Sequence, residues 1–133
     1  MNLVLKKTAF LNGCVNSFFF RSDRYLDVYF KYLNSTLSDQ CVVLHLGAGE
    51  DKCGVHKVVF SRSDKITLIS LDINSENLMR NPNPKRVVAD AMKMPLKASS
   101  IDVITCEHFF EHVENPIAVT RECWRVLKPE GCI

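Results

Sequence analysis

Val42-Val43-Leu44-His45-Leu46-Gly47-Ala48-Gly49-Glu50 is the stretch on which the fold turns. An apolar run that feeds directly into Gly-x-Gly reads as a buried parallel strand ending at a tight glycine turn. Glycine lets a ligand come close to the main chain there, and the N–H groups of the following turn can point at that ligand. Working outward, strands are expected at residues 41–46, 66–71, 86–89 and 101–106. Strands separated by helical segments imply a parallel sheet with crossovers.

The segments between them read less regularly. Ser75 to Arg80 is a polar, irregular stretch, and Asn81-Pro82-Asn83-Pro84 is rich in turn residues. Asn115-Pro116 opens a helix, with Asn as the cap and Pro at the first helical position. Ile117, Thr120, Trp124 and Leu127 give that helix an inner face, and Pro129 and Gly131 stop it. Upstream, Ser22 to Leu37 reads as a helix capped by Ser22. Leu26, Phe30, Leu33 and Leu37 form its apolar stripe, and Tyr25, Val28, Tyr29 and Tyr32 widen it. The sequence ends at Gly131-Cys132-Ile133, where a further strand is expected to begin. The expected architecture is α/β: a Rossmann-like, doubly wound parallel sheet of about four strands plus the start of a fifth. Residues 1–40 are expected to form a helical segment and residues 41–133 an incomplete core.

Composition narrows the function. With 47% hydrophobic residues in 133, the chain can bury one core, and a net charge of +2 gives no case for nucleic acid as a partner. Cys14, Cys41, Cys53, Cys106, Cys123 and Cys132 form no Cys-x-x-Cys pair, which leaves zinc-ribbon and thioredoxin-like readings unsupported. A reduced, cytoplasmic protein without a membrane span is expected. Lys6 and Lys7 before the fairly apolar Thr8 to Phe20 faintly resemble a signal peptide, but Asn12 and Asn16 interrupt the run.

The acids fall in a pattern. Asp72, Asp90 and Glu107 each end an expected strand. In an open parallel sheet the strand C-termini share one edge, where ligands bind. Gly47, Gly49, Asp72, Asp90 and Glu107 should therefore converge on one crevice. An acid 25 residues after the first glycine of the turn is placed to accept from both hydroxyls of a ribose. Ile73 and Met92, beside two of these acids, are placed to sandwich a flat base.

In this order the residues resemble the class I S-adenosylmethionine-dependent methyltransferases of the small-molecule subgroup. The matching pieces are Val43 to Gly49, Leu71-Asp72-Ile73, Ala89-Asp90-Ala91, Met94-Pro95-Leu96 with Ser100 to Ile104, Glu107 to Val113, and Arg121 to Gly131. The resemblance implies S-adenosyl-L-methionine as cofactor and a small-molecule acceptor. It implies that His45, Gly47, Ala48 and Gly49 line the methionine part and that Asp72 holds the ribose, with Ile73 on the adenine. It further implies that Asp90, Ala91 and Met92 meet the adenine, and that Glu107 and His108 lie near the sulfonium. His108 and His112 are the candidate general bases for an acceptor that must lose a proton. No metal is implied.

The sequence departs from that family in two places. His45 stands where an Asp or Glu is usual, and the third glycine of the turn is replaced by Glu50-Asp51-Lys52-Cys53 before Gly54. An irregular first crossover or a shortened helix is expected there.

Three rival readings remain. A degenerate, non-catalytic binding module fits the departures, and an exposed sheet edge would let such a domain self-associate. A dinucleotide-binding oxidoreductase would need a glycine at Lys52. His108-Phe109-Phe110-Glu111-His112 matches a zinc-peptidase signature, which needs a helix and a third ligand.

Overall fold

The structure is a computed structural model that describes residues 31–133. Ser22, Leu26 and Phe30 of the expected N-terminal helix, with Tyr25, Val28 and Tyr29, and the signal-like segment lie outside the described residues. Within them, residues 31–36 are helical (α1). Leu33 and Leu37 are buried as the stripe requires, whereas Tyr32 is 54% exposed and does not widen it.

Five strands form one parallel sheet: β1 (Val42–Leu46), β2 (Thr67–Asp72), β3 (Arg86–Val88), β4 (Ile101–Thr105) and β5 (Leu127–Cys132). Their order is β3-β2-β1-β4-β5. The order reverses at β1, where the neighbouring connections leave on opposite sides and open a crevice. In register, Val42 to Leu46 pair with Thr67 to Leu71, and Val43 to His45 pair with Val103 to Thr105.

Apart from His45, β1 is apolar on both faces because both faces are covered. Val43 belongs to a cluster with Leu33, Leu37, Val55, Val59, Ile66, Leu68 and Val103. Leu44 and Leu46 belong to the opposite cluster, with Leu71, Met94, Ile101, Ile104, Val119, Cys123 and Val126. The first cluster is closed by α1 and by α2 (Val55–Arg62), the second by α4 (Pro116–Val126).

Three local expectations are corrected. Ser75–Met79 is not irregular but a short helix, α3, with Asn74 accepting the Asn77 N–H at 3.0 Å as its cap. The inner face of α4 is Val119, Cys123 and Val126, while Ile117 is 66% and Trp124 44% exposed. A neighbouring stripe of smaller apolar residues is the inner face because it lies over the sheet, and the bulky Trp124 stays outside. Lastly, α4 is not ended by Pro129 and Gly131. It gives way to β5 at Leu127, and both residues lie inside the strand.

Their presence in β5 has a physical reason. β5 is an edge strand of the described sheet, where a missing proline N–H is tolerated. Ile101 pairs with Leu127 and Val103 with Cys132, so the register shifts between them as at a bulge. Gly131 sits in that bulge. A Cβ there would lie 3.0 Å from the Asp102 carbonyl oxygen and 3.1 Å from that of Ile101.

Candidate functional site

The glycine turn is built by backbone conformations that favour glycine. Gly47 and Gly49 have φ of 68° and 43°. The Ala48 N–H donates to the Leu71 carbonyl at 3.0 Å, which continues the β1–β2 ladder into the turn. Asn81 braces it from below, its amide donating to the Gly49 carbonyl at 2.9 Å. Asn83 in turn donates to the Leu68 carbonyl at 2.9 Å and to the Lys85 carbonyl at 3.0 Å. Both asparagines are buried, so the Asn-Pro-Asn-Pro stretch is a packed strut and not a loose turn. Its prolines supply no N–H of their own, and the Asn side chains do the bonding instead.

Asp72 ends β2 and is held at both oxygens. Oδ2 accepts the Gly49 N–H and Oδ1 the Asn74 N–H, each at 2.8 Å. Each carboxylate oxygen keeps a lone pair for a further donor. Asp90, just past β3, accepts the Met92 N–H on Oδ1 at 2.8 Å. A cleft of about 700 Å³ runs along these strand ends. Gly47, Asp72, Ile73, Asp90, Ala91, Met92, His108 and His112 line it, as do Asn74, Asn77, Phe109 and Val113, which the sequence did not single out. An Asn at a strand end followed by a polar turn is the signal that would have found Asn74.

The other predicted residues lie elsewhere. His45, Ala48, Gly49 and Glu107 are not among the cleft-lining residues. His45 and Glu107 turn to each other behind the turn: the ring Nε2 is 3.0 Å from Glu107 Oε2, and both side chains are over nine-tenths buried. The Thr105 hydroxyl donates to the other Glu107 oxygen at 3.0 Å. On its far side, His45 Nδ1 lies 3.7 Å from Asp51 Oδ1, too long for a hydrogen bond. The carboxylate that meets His45 thus comes from just past β4, 62 residues away.

The altered turn is also compensated. Asp51 adopts a φ of 58°, and its Oδ2 accepts the His56 N–H at 3.1 Å, in the first turn of α2. Gly54, with φ 80°, precedes that helix without a side-chain cap. Asp51 does the capping from further upstream, and α2 is short at eight residues, as expected. Cys53 lies nearby, its thiol pKa raised by burial and then by the Glu107 and Asp51 carboxylates.

His108 and His112 flank Glu111 at 3.4 and 3.7 Å, and their side chains are 63% and 75% exposed. Only Phe110–His112 is helical there, one 3-10 turn, and His108 has φ 48°. The two histidines therefore do not share a helix face, and the geometry of the zinc-peptidase reading is not met.

The fit to an S-adenosyl ligand is tested by the donors and surfaces present. Asp72 offers two anchored oxygens at the strand end where ribose hydroxyls would lie. Ile73, at 71% exposure, and Met92, at 37%, present apolar surface to the cleft that nothing within the described residues covers further. This set suits a nucleoside. Residues 44–133 match the model of a family described as a methyltransferase domain. The chain belongs to the methyltransferase domain family.

This methyltransferase domain is 30% identical over 105 residues to an uncharacterised methyltransferase of Schizosaccharomyces pombe, covering 76% of this chain and 41% of that protein. Over 49 residues it is 41% identical to a ubiquinone biosynthesis O-methyltransferase of Pseudomonas putida, covering 35% of this chain and 20% of that one. Its fold is shared by the YcgJ protein from Bacillus subtilis, with TM-score 0.67, 22% identity, and coverage of 80% and 47% of the two chains. A SAM-dependent methyltransferase from Aquifex aeolicus has the same fold, with TM-score 0.64, 19% identity, and coverage of 74% and 57%. The methyltransferase domain spans about two fifths of the length of the Schizosaccharomyces relative.

Proposed function

We propose that the chain binds S-adenosyl-L-methionine and serves methyl transfer to a small-molecule acceptor. The observation that carries this reading is Asp72, fixed by the Gly49 and Asn74 N–H groups at the mouth of a cleft flanked by exposed Ile73 and Met92. The bound cofactor would supply an activated methyl group for an in-line displacement. The chain's own residues bind and align. Asp72 accepts the ribose hydroxyls, Asp90 accepts from the base on the oxygen that Met92 leaves over, and Ile73 and Met92 hold the ring between them. Where the acceptor must lose a proton, His108 and His112 are positioned at the same cleft, and Glu111 beside both can steady the charge that forms.

The net charge of +2 supports a small molecule over nucleic acid as partner. Among the described residues no helix is long and apolar enough to cross a membrane. Cys41 and Cys53 are free thiols, which suits a reducing compartment such as the cytoplasm. Self-association along the outer edge of β5 is a further proposal, which Pro129 would limit by removing one donor; sedimentation velocity reads it.

Calorimetric titration with S-adenosylhomocysteine tests the central reading. Micromolar to sub-millimolar binding that is lost in Asp72→Ala is expected. Absence of binding at millimolar ligand overturns it, and binding without turnover of any acceptor favours a binding module.

A further inference from the structure

Phe109 sits on the glycine turn. A Cβ built on Gly47 would overlap its ring, so the space that Gly47 leaves open is filled by a side chain of this same chain. The ring is half-buried, lines the cleft, and packs edge-on against Phe110 with centroids 5.4 Å apart and planes at 77°.

The backbone that delivers it is uncommon. His108, the preceding residue, has φ 48°, a left-handed conformation that residues with a Cβ adopt at a cost. Its side chain is 63% exposed, so burial does not hold it there. A return of His108 to the right-handed region would carry Phe109 away from Gly47.

The two ends of the cleft are therefore unlike. Asp72, Ile73, Asp90 and Met92, which suit a nucleoside, come from the exits of β2 and β3. The exit of β4 contributes a ring seated on the turn that a tail attached to the 5′ carbon of that nucleoside would have to pass. We propose that Phe109 is a specificity-determining plug for that tail. In the resting chain it occupies the strip along Gly47. A ligand with an amino-acid tail enters only when the ring swings off, whereas a nucleoside without the tail binds with the plug in place. This deepens the S-adenosyl reading above and rests on it.

The test compares two ligands that share the nucleoside and differ in the tail. S-adenosylhomocysteine and 5′-methylthioadenosine are titrated into the full chain, its Phe109→Ala and Phe109→Leu variants, and His108→Gly. A closed majority state lowers the apparent affinity by the fraction that is open, so Phe109→Ala should tighten S-adenosylhomocysteine about fivefold, with Phe109→Leu between. His108→Gly removes the strain on the closed form and should weaken S-adenosylhomocysteine about threefold. Binding of 5′-methylthioadenosine should stay within about twofold throughout, which also reports that each variant is folded.

Weaker S-adenosylhomocysteine binding in Phe109→Ala would mean that the ring is a wall for the tail, and overturns the plug. An equal shift for both ligands overturns it as well. If 5′-methylthioadenosine binds and the ratio of the two affinities is the same in every variant, the plug fails and the nucleoside site stands. If neither ligand binds any variant at millimolar concentration, the S-adenosyl reading fails, and the plug with it.

Discussion

The exits of β2 and β4 face the same cleft and are built in opposite ways. At β2, Asp72 is fixed by two backbone N–H groups, and the next residues run into a capped helix. At β4, Glu107 turns inward to His45, His108 adopts a left-handed backbone, and Phe109 lies across Gly47. The first exit is held by main-chain hydrogen bonds that any ligand-bound state can keep. The second is anchored inward at Glu107 by His45 and the Thr105 hydroxyl, while its cleft-facing part rests on one aromatic ring and a conformation that carries strain. On the proposed reading, the nucleoside end is preorganised and the tail end must change to be used.

The sharpest way to break this contrast is at Asp72. Removing a charged acceptor from two ligand hydrogen bonds costs about 3 kcal/mol, so Asp72→Ala should lose S-adenosylhomocysteine affinity by about 100-fold in calorimetry. Gly47→Ala tests the other exit. It places a methyl group against Phe109 at a backbone φ of 68°. Strain plus displacement of the ring should cost roughly 2 kcal/mol in a urea melt.

Arg125 sharpens the comparison from outside the cleft. Its guanidinium forks onto Glu122 at 2.7 and 2.8 Å and donates to the Leu96 and Met94 carbonyls, while Glu122 accepts the Met94 N–H. This clamps the 94–96 loop to α4. Arg125→Ala should cost roughly 2 kcal/mol, measured by urea denaturation. Glu122 is held below its ordinary value of 4.5, chiefly by the Arg125 hydrogen bond. A carboxylate depressed in the folded state stabilises above its unfolded pKa, and that stability fades as the pH falls below about 4.5 toward the folded value. The urea midpoint of the native chain should fall more steeply below that pH than the midpoint of Glu122→Gln.

The smallest effect concerns α4. Ile117→Ser on its exposed face should change stability by less than about 0.5 kcal/mol. Val119→Ala, which removes two methyl groups from the true inner face, should cost about 2 kcal/mol by the same measurement.

Those last two variants also mark where the sequence was and was not legible. β1 was readable because a strand covered on both faces is nearly all apolar, His45 being the one polar side chain in it. Asp72 and Asp90 were readable because a parallel sheet puts every strand end on one edge. The face of α4 was misassigned because two apolar stripes lie one residue apart, and only the sheet beneath selects between them. The fifth strand was expected to begin only at Gly131, and β5 starts earlier, at Leu127, because an edge position with a bulge accommodates the proline and glycine that usually end structure. The His45–Glu107 pair joins residues 62 apart in sequence, through the register of β1 against β4, and no local pattern carries that information. Phe109 was hidden for a related reason: an aromatic beside a polar strand end reads as core until the turn it covers is known.

The asparagines have one further consequence, for ageing. Asn81 braces the glycine turn, Asn83 ties β2 to the approach of β3, and Asn115 caps α4 by accepting the Ala118 N–H at 3.0 Å. Each is followed by proline: Pro82, Pro84 and Pro116. Spontaneous loss of an asparagine amide proceeds through attack by the next residue's backbone nitrogen, and a proline nitrogen has no hydrogen to give up. These three amides are therefore shielded from the commonest chemical decay of asparagine, whereas Asn74, which caps α3 and is followed by Ser75, is not.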